Sequence, residues 1–153
     1  MNFSAAHFIP HPAAGKCQQL HGHTYTVNVT VAGNMLDELG FLTNFQELKK
    51  LVHGRYDHTL LNEHPEFAHR LEDLKEGVPA PSTEELARMI AERIQDHLDT
   101  EGNEAHCVQV VVRETPTSYV SYRPPLEVIT STLYSGDGFV EQQTSVVKPE
   151  VAE

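Results

Sequence analysis

Lys16-Cys17-Gln18-Gln19-Leu20-His21-Gly22-His23-Thr24-Tyr25 decides how the rest of the chain is read. It places one thiol and two imidazoles within residues 17–23 and then runs straight into an alternating stretch. In an extended backbone residues i and i+2 point to the same face, so one strand can aim His21 and His23 at a single point. Gly22 between them carries no side chain and leaves the opposite face open to close approach by another backbone or a ligand. Two histidines do not complete a catalytic zinc site, which takes three protein ligands and keeps a fourth position for water or substrate. The nearest candidate third ligand is His7, near the end of Asn2-Phe3-Ser4-Ala5-Ala6-His7-Phe8, a run suited to pair as an antiparallel strand beside the first. A plainer reading competes: with ten histidines in the chain, the triplet is a polar strand end, and spacing alone does not separate the two.

Working outward, Thr24 to Ala32 alternates, with Tyr25, Val27, Val29 and Val31 on one face and Thr24, Thr26, Asn28 and Thr30 on the other. That is the pattern of a half-buried antiparallel strand. Between the two strands, Pro10, Pro12 and Gly15 predict an irregular loop that carries Cys17 towards the histidines. Asn44 is a good N-cap for a helix with an apolar stripe of Phe45, Leu48, Leu51 and Val52, ending near Gly54. Ser82-Thr83-Glu84-Glu85 is a capping box that opens a second helix, whose buried stripe is Leu86, Met89, Ile90, Ile94 and Leu98. Between the helices, residues 63–81 read as a polar excursion with a helical turn through Phe67 to Leu74, and His53, His64, His69 and His97 read as solvated. Cys107 to Arg113 is strand-like, with Val108, Val110 and Val112 in phase, and Ser118 to Tyr122 is an edge strand stopped by Pro124-Pro125. The whole is α+β: a single domain over residues 1–125, then an extension over 126–153 with an apolar, β-prone stretch from Val128 to Leu133 and no assigned role.

Composition bounds the function. At 153 residues the chain is long enough for one buried core. Twenty-two acidic residues against 11 basic ones give a formal net charge of −11, a surface that repels a phosphate backbone and argues against nucleic acid. A local basic pocket for a small anion remains compatible with it. Two cysteines, no signal peptide and no long apolar run predict a reduced, cytoplasmic protein with free thiols and no membrane span.

Two other places carry chemistry. Asp57-His58 has the composition of a general acid-base pair, but neighbouring residues do not face each other in regular structure, and the residues alone favour a plain surface pair. Glu114, closing an apolar strand, is either a solvated strand end or an anchor for a cationic or amidine-like ligand.

In order, Ala-Ala-His (5–7), Cys-x3-His-Gly-His-x-Tyr (17–25), Asn-Phe-x-x-Leu-Lys (44–49), Asp-His-x-x-Leu-Asn (57–62), Pro-Ser-Thr-Glu-x-Leu-Ala (81–87) and Arg-Glu-Thr (113–115) make up a set. The set resembles the 6-pyruvoyl-tetrahydropterin synthase family from about Phe3 to Tyr122, and the three-residue gap between Cys17 and His21 is similar to its bacterial, carboxy-forming branch of the queuosine pathway. The resemblance implies the tunnelling fold (T-fold), an antiparallel four-stranded sheet with two helices on one face. In that fold subunits join their sheets into a barrel, two trimeric rings stack as a hexamer, and pockets lie between subunits. It further implies Zn2+ held by His7, His21 and His23, with Cys17 as the catalytic thiol and Asp57-His58 as its partner dyad. Glu114 would grip the pterin edge, with Thr115 beside it and Phe45 lining the pocket, while Lys16 is the candidate phosphate contact. The implied reaction is zinc-dependent conversion of 7,8-dihydroneopterin triphosphate to 6-carboxy-5,6,7,8-tetrahydropterin with release of acetaldehyde and triphosphate. Two alternatives stand beside it: the pyruvoyl-forming elimination, and a non-catalytic metal-binding module in which Cys17 closes the site as a fourth ligand. The chain departs from the pattern in Asn44, where the family often has Asp, in a first strand that begins almost at Met1, and in the long 63–81 and 126–153 segments.

Overall fold

β1 (Asn2–His7) and β2 (His21–Gly33) pair antiparallel in a register that sets Ala6 opposite Gly22 and His7 opposite His21. The computed structural model of the chain describes residues 1–125 and 140–143. Five further elements extend this pair: α1 (Phe45–Tyr56), β3 (Thr59–Leu60), α2 (Leu71–Lys75), α3 (Thr83–Glu101) and β4 (His106–Thr115). Two edge pieces follow, β5 (Ser118–Tyr122) and β6 (Val140–Gln143). The sheet order is β3-β1-β2-β4-β5, antiparallel except for the short parallel β1/β3 contact, with β6 pairing β2 from Thr30 to Gly33.

The alternation in β2 does what its period requires. Tyr25, Val27, Val29 and Val31 are fully buried and meet the helix stripes Leu48, Val52, Leu86, Ile90, Ile94 and Leu98. Polar Thr24, Thr26 and Asn28 point to the other side of the sheet. Gly22 is needed where the two strands meet: a Cβ there would lie 3.3 Å from the Ala5 carbonyl oxygen. Among the described residues no helix is long and apolar enough to cross a membrane.

The structure corrects several expectations. The sheet has six strands rather than four, because β3 adds a two-residue edge and Val140–Gln143 of the extension joins β2. The Val128–Leu133 stretch lies outside the described residues. Pro12 opens a 3-10 segment, Pro12–Gln18, bent at Gly15 (φ 56°), where an irregular loop was expected; proline suits a first helical position. α1 runs past Gly54 to Tyr56, whose buried ring and hydroxyl bond to Glu66 pin the last turn. Phe45 is not part of the buried stripe: it is 46% exposed, and Leu48, Val52 and Tyr56 form the stripe instead. The helical turn expected through Phe67 to Leu74 forms later, as α2. In β4 a register shift between Thr30 and Val31 of β2 puts Cys107 in phase with the core and leaves Val108 half-buried. His53, His64 and His97 are engaged rather than simply solvated: they meet the Asn2 carbonyl, the Thr59 hydroxyl and Glu101 respectively.

Candidate metal centre and active site

His7, His21 and His23 reach one point because β1 and β2 are adjacent and the three residues share the helix-facing side of the sheet. Glu114 arrives there from β4, two residues beyond buried Val112. Ligand atoms of all four lie within 4.8 Å of one another, and the imidazole centroids are 4.5–5.2 Å apart.

Hydrogen-bond polarity shows what these rings face. His7 Nδ1 lies 2.7 Å from the Pro81 carbonyl and His21 Nδ1 2.7 Å from the Gln19 carbonyl. A carbonyl only accepts, so both Nδ1 atoms carry the hydrogen and both Nε2 atoms present a lone pair. Those two Nε2 atoms stand 3.1 Å apart. Two facing lone pairs repel unless a cation or a proton sits between them, and a tetrahedral zinc at 2.0–2.1 Å would hold such donors about 3.3 Å apart. His23 Nε2 is buried and 2.6 Å from Glu114 Oε1, yet the two make no hydrogen bond, the packing of two atoms around a shared centre. Carbonyls that fix the ring tautomers are the usual outer support of metal-bound histidine. Burial, the largest influence, pushes the His7 imidazole below its ordinary pKa, which favours the neutral ring that binds a metal. The donor set therefore fits a divalent cation, three imidazole nitrogens with the Glu114 carboxylate oxygen beside them.

This cluster opens on a cavity of about 300 Å³ lined by His7, Cys17, His21, Thr83, Glu84 and Glu114. Cys17 is free and exposed, and its backbone is tied by the Ile9 amide at 2.8 Å. Thr83 Oγ1 donates to Glu114 Oε2 at 2.5 Å, so the start of α3 sets the carboxylate against the histidines. Ser82, Thr83 and Glu84 were read from sequence only as a helix cap; the signal for a second use was the capping box lying next to the Pro81 carbonyl that His7 needs. Buried Tyr25 lies beneath the rings, its hydroxyl pushed well above the usual tyrosine pKa by burial and then by the Glu114 charge.

The expected dyad lies elsewhere. His58 adopts a left-handed φ of 58°, a conformation that costs a non-glycine residue of order 1–3 kcal/mol and turns its ring back onto Asp57. Its Nδ1 is 2.7 Å from Asp57 Oδ2, while Ser4 N donates to Asp57 Oδ1 at 2.9 Å and His58 N to the Ser4 carbonyl at 2.6 Å. The Ser4 amide first, and then His58, hold the Asp57 carboxyl below its usual pKa. His58 is 84% exposed and, with Ser4, Ala6, Gly22 and Thr24 on the side of the sheet away from the helices, lines a second cleft that also reaches His23. One chain thus brings together the three histidines, Cys17 and Glu114, and places His58 in a different cleft that shares only His23 with them.

The remaining expected residues are scattered. Lys16 sits at the exposed end of the 3-10 segment next to Cys17, and half-buried Thr115 follows Glu114, its hydroxyl accepting from Thr117 N. Phe45 lines a different cleft, with Met1, Asn2, Lys49 and His53.

Residues 1–125 match the family described as 6-pyruvoyl tetrahydropterin synthase. The chain is 57% identical over 124 residues to 6-carboxy-5,6,7,8-tetrahydropterin synthase of Bacillus subtilis (strain 168), covering 81% of this chain and 82% of that protein. It is 33% identical over 132 residues to the protein of the same name from Synechocystis sp. (strain ATCC 27184 / PCC 6803 / Kazusa), covering 81% and 89%. Among solved structures, the 6-pyruvoyl tetrahydropterin synthase of Caenorhabditis elegans superposes with a TM-score of 0.59 at 22% identity, over 82% of this chain and 91% of that one, a likeness of fold.

Proposed function

The chain belongs to the 6-pyruvoyl tetrahydropterin synthase family, and from that premise we propose that it is a zinc-dependent lyase of the carboxy-forming kind. Its substrate is 7,8-dihydroneopterin triphosphate, which with water gives 6-carboxy-5,6,7,8-tetrahydropterin, acetaldehyde and triphosphate, a step of queuosine synthesis in the cytoplasm. The observation that carries this reading is the convergence of His7, His21 and His23 on a cavity that has Cys17 on its wall. Zinc bound there supplies Lewis-acid polarisation of the side-chain oxygens, which makes the adjacent C–H removable.

The chain's own residues do the rest. Cys17, as thiolate, takes the proton from the substrate side chain, and Glu114 accepts hydrogen bonds from the amidine-like edge of the pterin, held in place by Thr83. Thr115 supports that edge, and exposed Lys16, next to Cys17 in the 3-10 segment, meets the phosphates. His58, oriented by Asp57, returns protons to the intermediate. Because Asp57-His58 lies on the other side of the sheet, the pair of one chain serves the pocket of another in a homo-oligomer of stacked rings. Phe45, at a cleft of its own, lines a pterin pocket only through the same assembly.

Incubation with 7,8-dihydroneopterin triphosphate tests the reading. Trapped acetaldehyde that disappears with a chelator supports it. A product that keeps its three-carbon side chain assigns the pyruvoyl-forming reaction instead. If Cys17→Ala releases the metal and lowers stability while the natural chain turns nothing over, Cys17 is a structural ligand and the protein a metal-binding module.

A further inference from the structure

The outward edge of β1 holds more than the dyad. Asn2 O, Ser4 N and Ser4 O all point to the edge away from β2, and they engage His53 Nδ1 (2.7 Å), Asp57 Oδ1 (2.9 Å) and His58 N (2.6 Å) in turn. His53 also faces the same carboxylate oxygen that His58 holds: its Nε2 is 3.5 Å from Asp57 Oδ2, one helical turn away at i,i+4. The Asn2 carbonyl can only accept, so His53 Nδ1 carries the hydrogen. A neutral ring then turns a bare lone pair to the carboxylate, and only the protonated ring addresses both acceptors.

From this clasp we infer that His53 is a positioning residue for Asp57-His58, sharing the Asp57 carboxylate with His58 and fixing its direction. The inference rests on the reading above only in giving the pair a proton-transfer role; the coupling itself is independent of substrate. His53 also lies in the last turn of α1, where a cation is favourable to the helix end, so a purely structural use predicts an effect on stability and nothing more. The other charges facing it are cations, Lys49 one turn earlier on α1 and the Met1 amine in the same cleft, and they stay constant across the comparison below.

A protonated His53 competes for Asp57, so its removal leaves the carboxylate to His58, which then binds its proton more tightly. In zinc-loaded full-length protein labelled at histidine nitrogen, His53→Leu raises the titration midpoint of the His58 ring by about half a pH unit. By reciprocity His58→Ala raises that of His53. His53→Lys, which keeps a cation four residues before Asp57, brings the His58 midpoint back towards the natural value. With 7,8-dihydroneopterin triphosphate, His53→Leu lowers kcat about three- to tenfold with KM changed less than twofold, a part of what a positioned acid-base group contributes. An unmoved His58 midpoint in folded His53→Leu, or equal midpoints in the Leu and Lys variants, overturns the inference. If the natural chain does not turn over this substrate, the functional reading fails, and the ring titrations still decide whether His53 is coupled to the pair.

Discussion

The two halves of the chemistry are built in opposite ways. At the histidine cluster two of the three rings are braced from within the chain: backbone carbonyls fix the tautomers of His7 and His21, Thr83 fixes Glu114, and His7 is almost fully buried. At Asp57-His58 the backbone brace is as tight, yet the imidazole stands out in solvent on the far side of the sheet. Buried polar groups must be satisfied where they are, whereas an exposed, strained and carefully oriented side chain is satisfied by something that arrives. The contrast teaches that one chain builds a buried donor cluster complete in itself and an exposed Asp57-His58 pair, which under the proposed function would act on a pocket of another subunit.

The contrast can be broken most forcefully at the metal. His21→Ala or His23→Ala should bring zinc content by mass spectrometry close to zero and turnover below detection, while a variant that keeps its metal would show that the rings are not its ligands. Cys17→Ala should lower kcat by about 10²–10⁴-fold with zinc content unchanged, since the thiol watches the pocket without closing it. The sharpest arm mixes two dead proteins. Co-assembled Cys17→Ala and His58→Ala chains should recover about a quarter of the natural activity, the random share of pockets with an intact thiol and an intact dyad from different subunits. A mixture that stays inactive places both groups in one chain's service.

Smaller effects test the scaffold that holds the halves apart. Burial pushes the Glu66 carboxyl up, but the paired Arg55 guanidinium and the Tyr56 hydroxyl outweigh it and bring it down to about 2. A depressed carboxylate pKa contributes stability above its unfolded value and loses it as pH falls, so the thermal midpoint should drop between the usual 4.5 and about 2. Glu66→Gln should flatten that limb and cost about 3 kcal/mol at neutral pH, read by denaturant unfolding. Least of all, Asn44→Ala removes the cap that accepts from Gln46 N and should cost about 1 kcal/mol, with Asn44→Asp nearly neutral.

How far residues alone reached follows the same division. β2 and α3 were legible because their period is long and their caps are chemical: Tyr25 to Val31 alternate into the core, and Ser82 caps Glu85 N while Gly102 takes the left-handed turn at the far end. His7, His21 and His23 were legible because strand period and one register bring them together. What stayed hidden depends on tertiary contact. Nothing in Arg55-Tyr56-Asp57-His58 announces a left-handed histidine, since the β1 edge imposes it. Glu114 meets His23 only because β4 lies beside β2, so its place beside the histidines is not a spacing. Phe45 has a helical phase that fits the core, yet at the first turn of α1 no layer of the described residues covers it. The pairing of Val140–Gln143 with β2 joins residues more than a hundred apart, beyond any local pattern.

Gly22 offers no side-chain ligand, yet its bare backbone would set how tightly a cation at the neighbouring rung is gripped. Any side chain at that position would lean on the Ala5 carbonyl and wedge the hairpin open by a few tenths of an ångström. The next rung is His7 opposite His21, so the wedge would be handed directly to the gap between two ligands. A family of residue-22 variants would therefore act as a dial on zinc affinity, graded by side-chain size, with every ligand left in place.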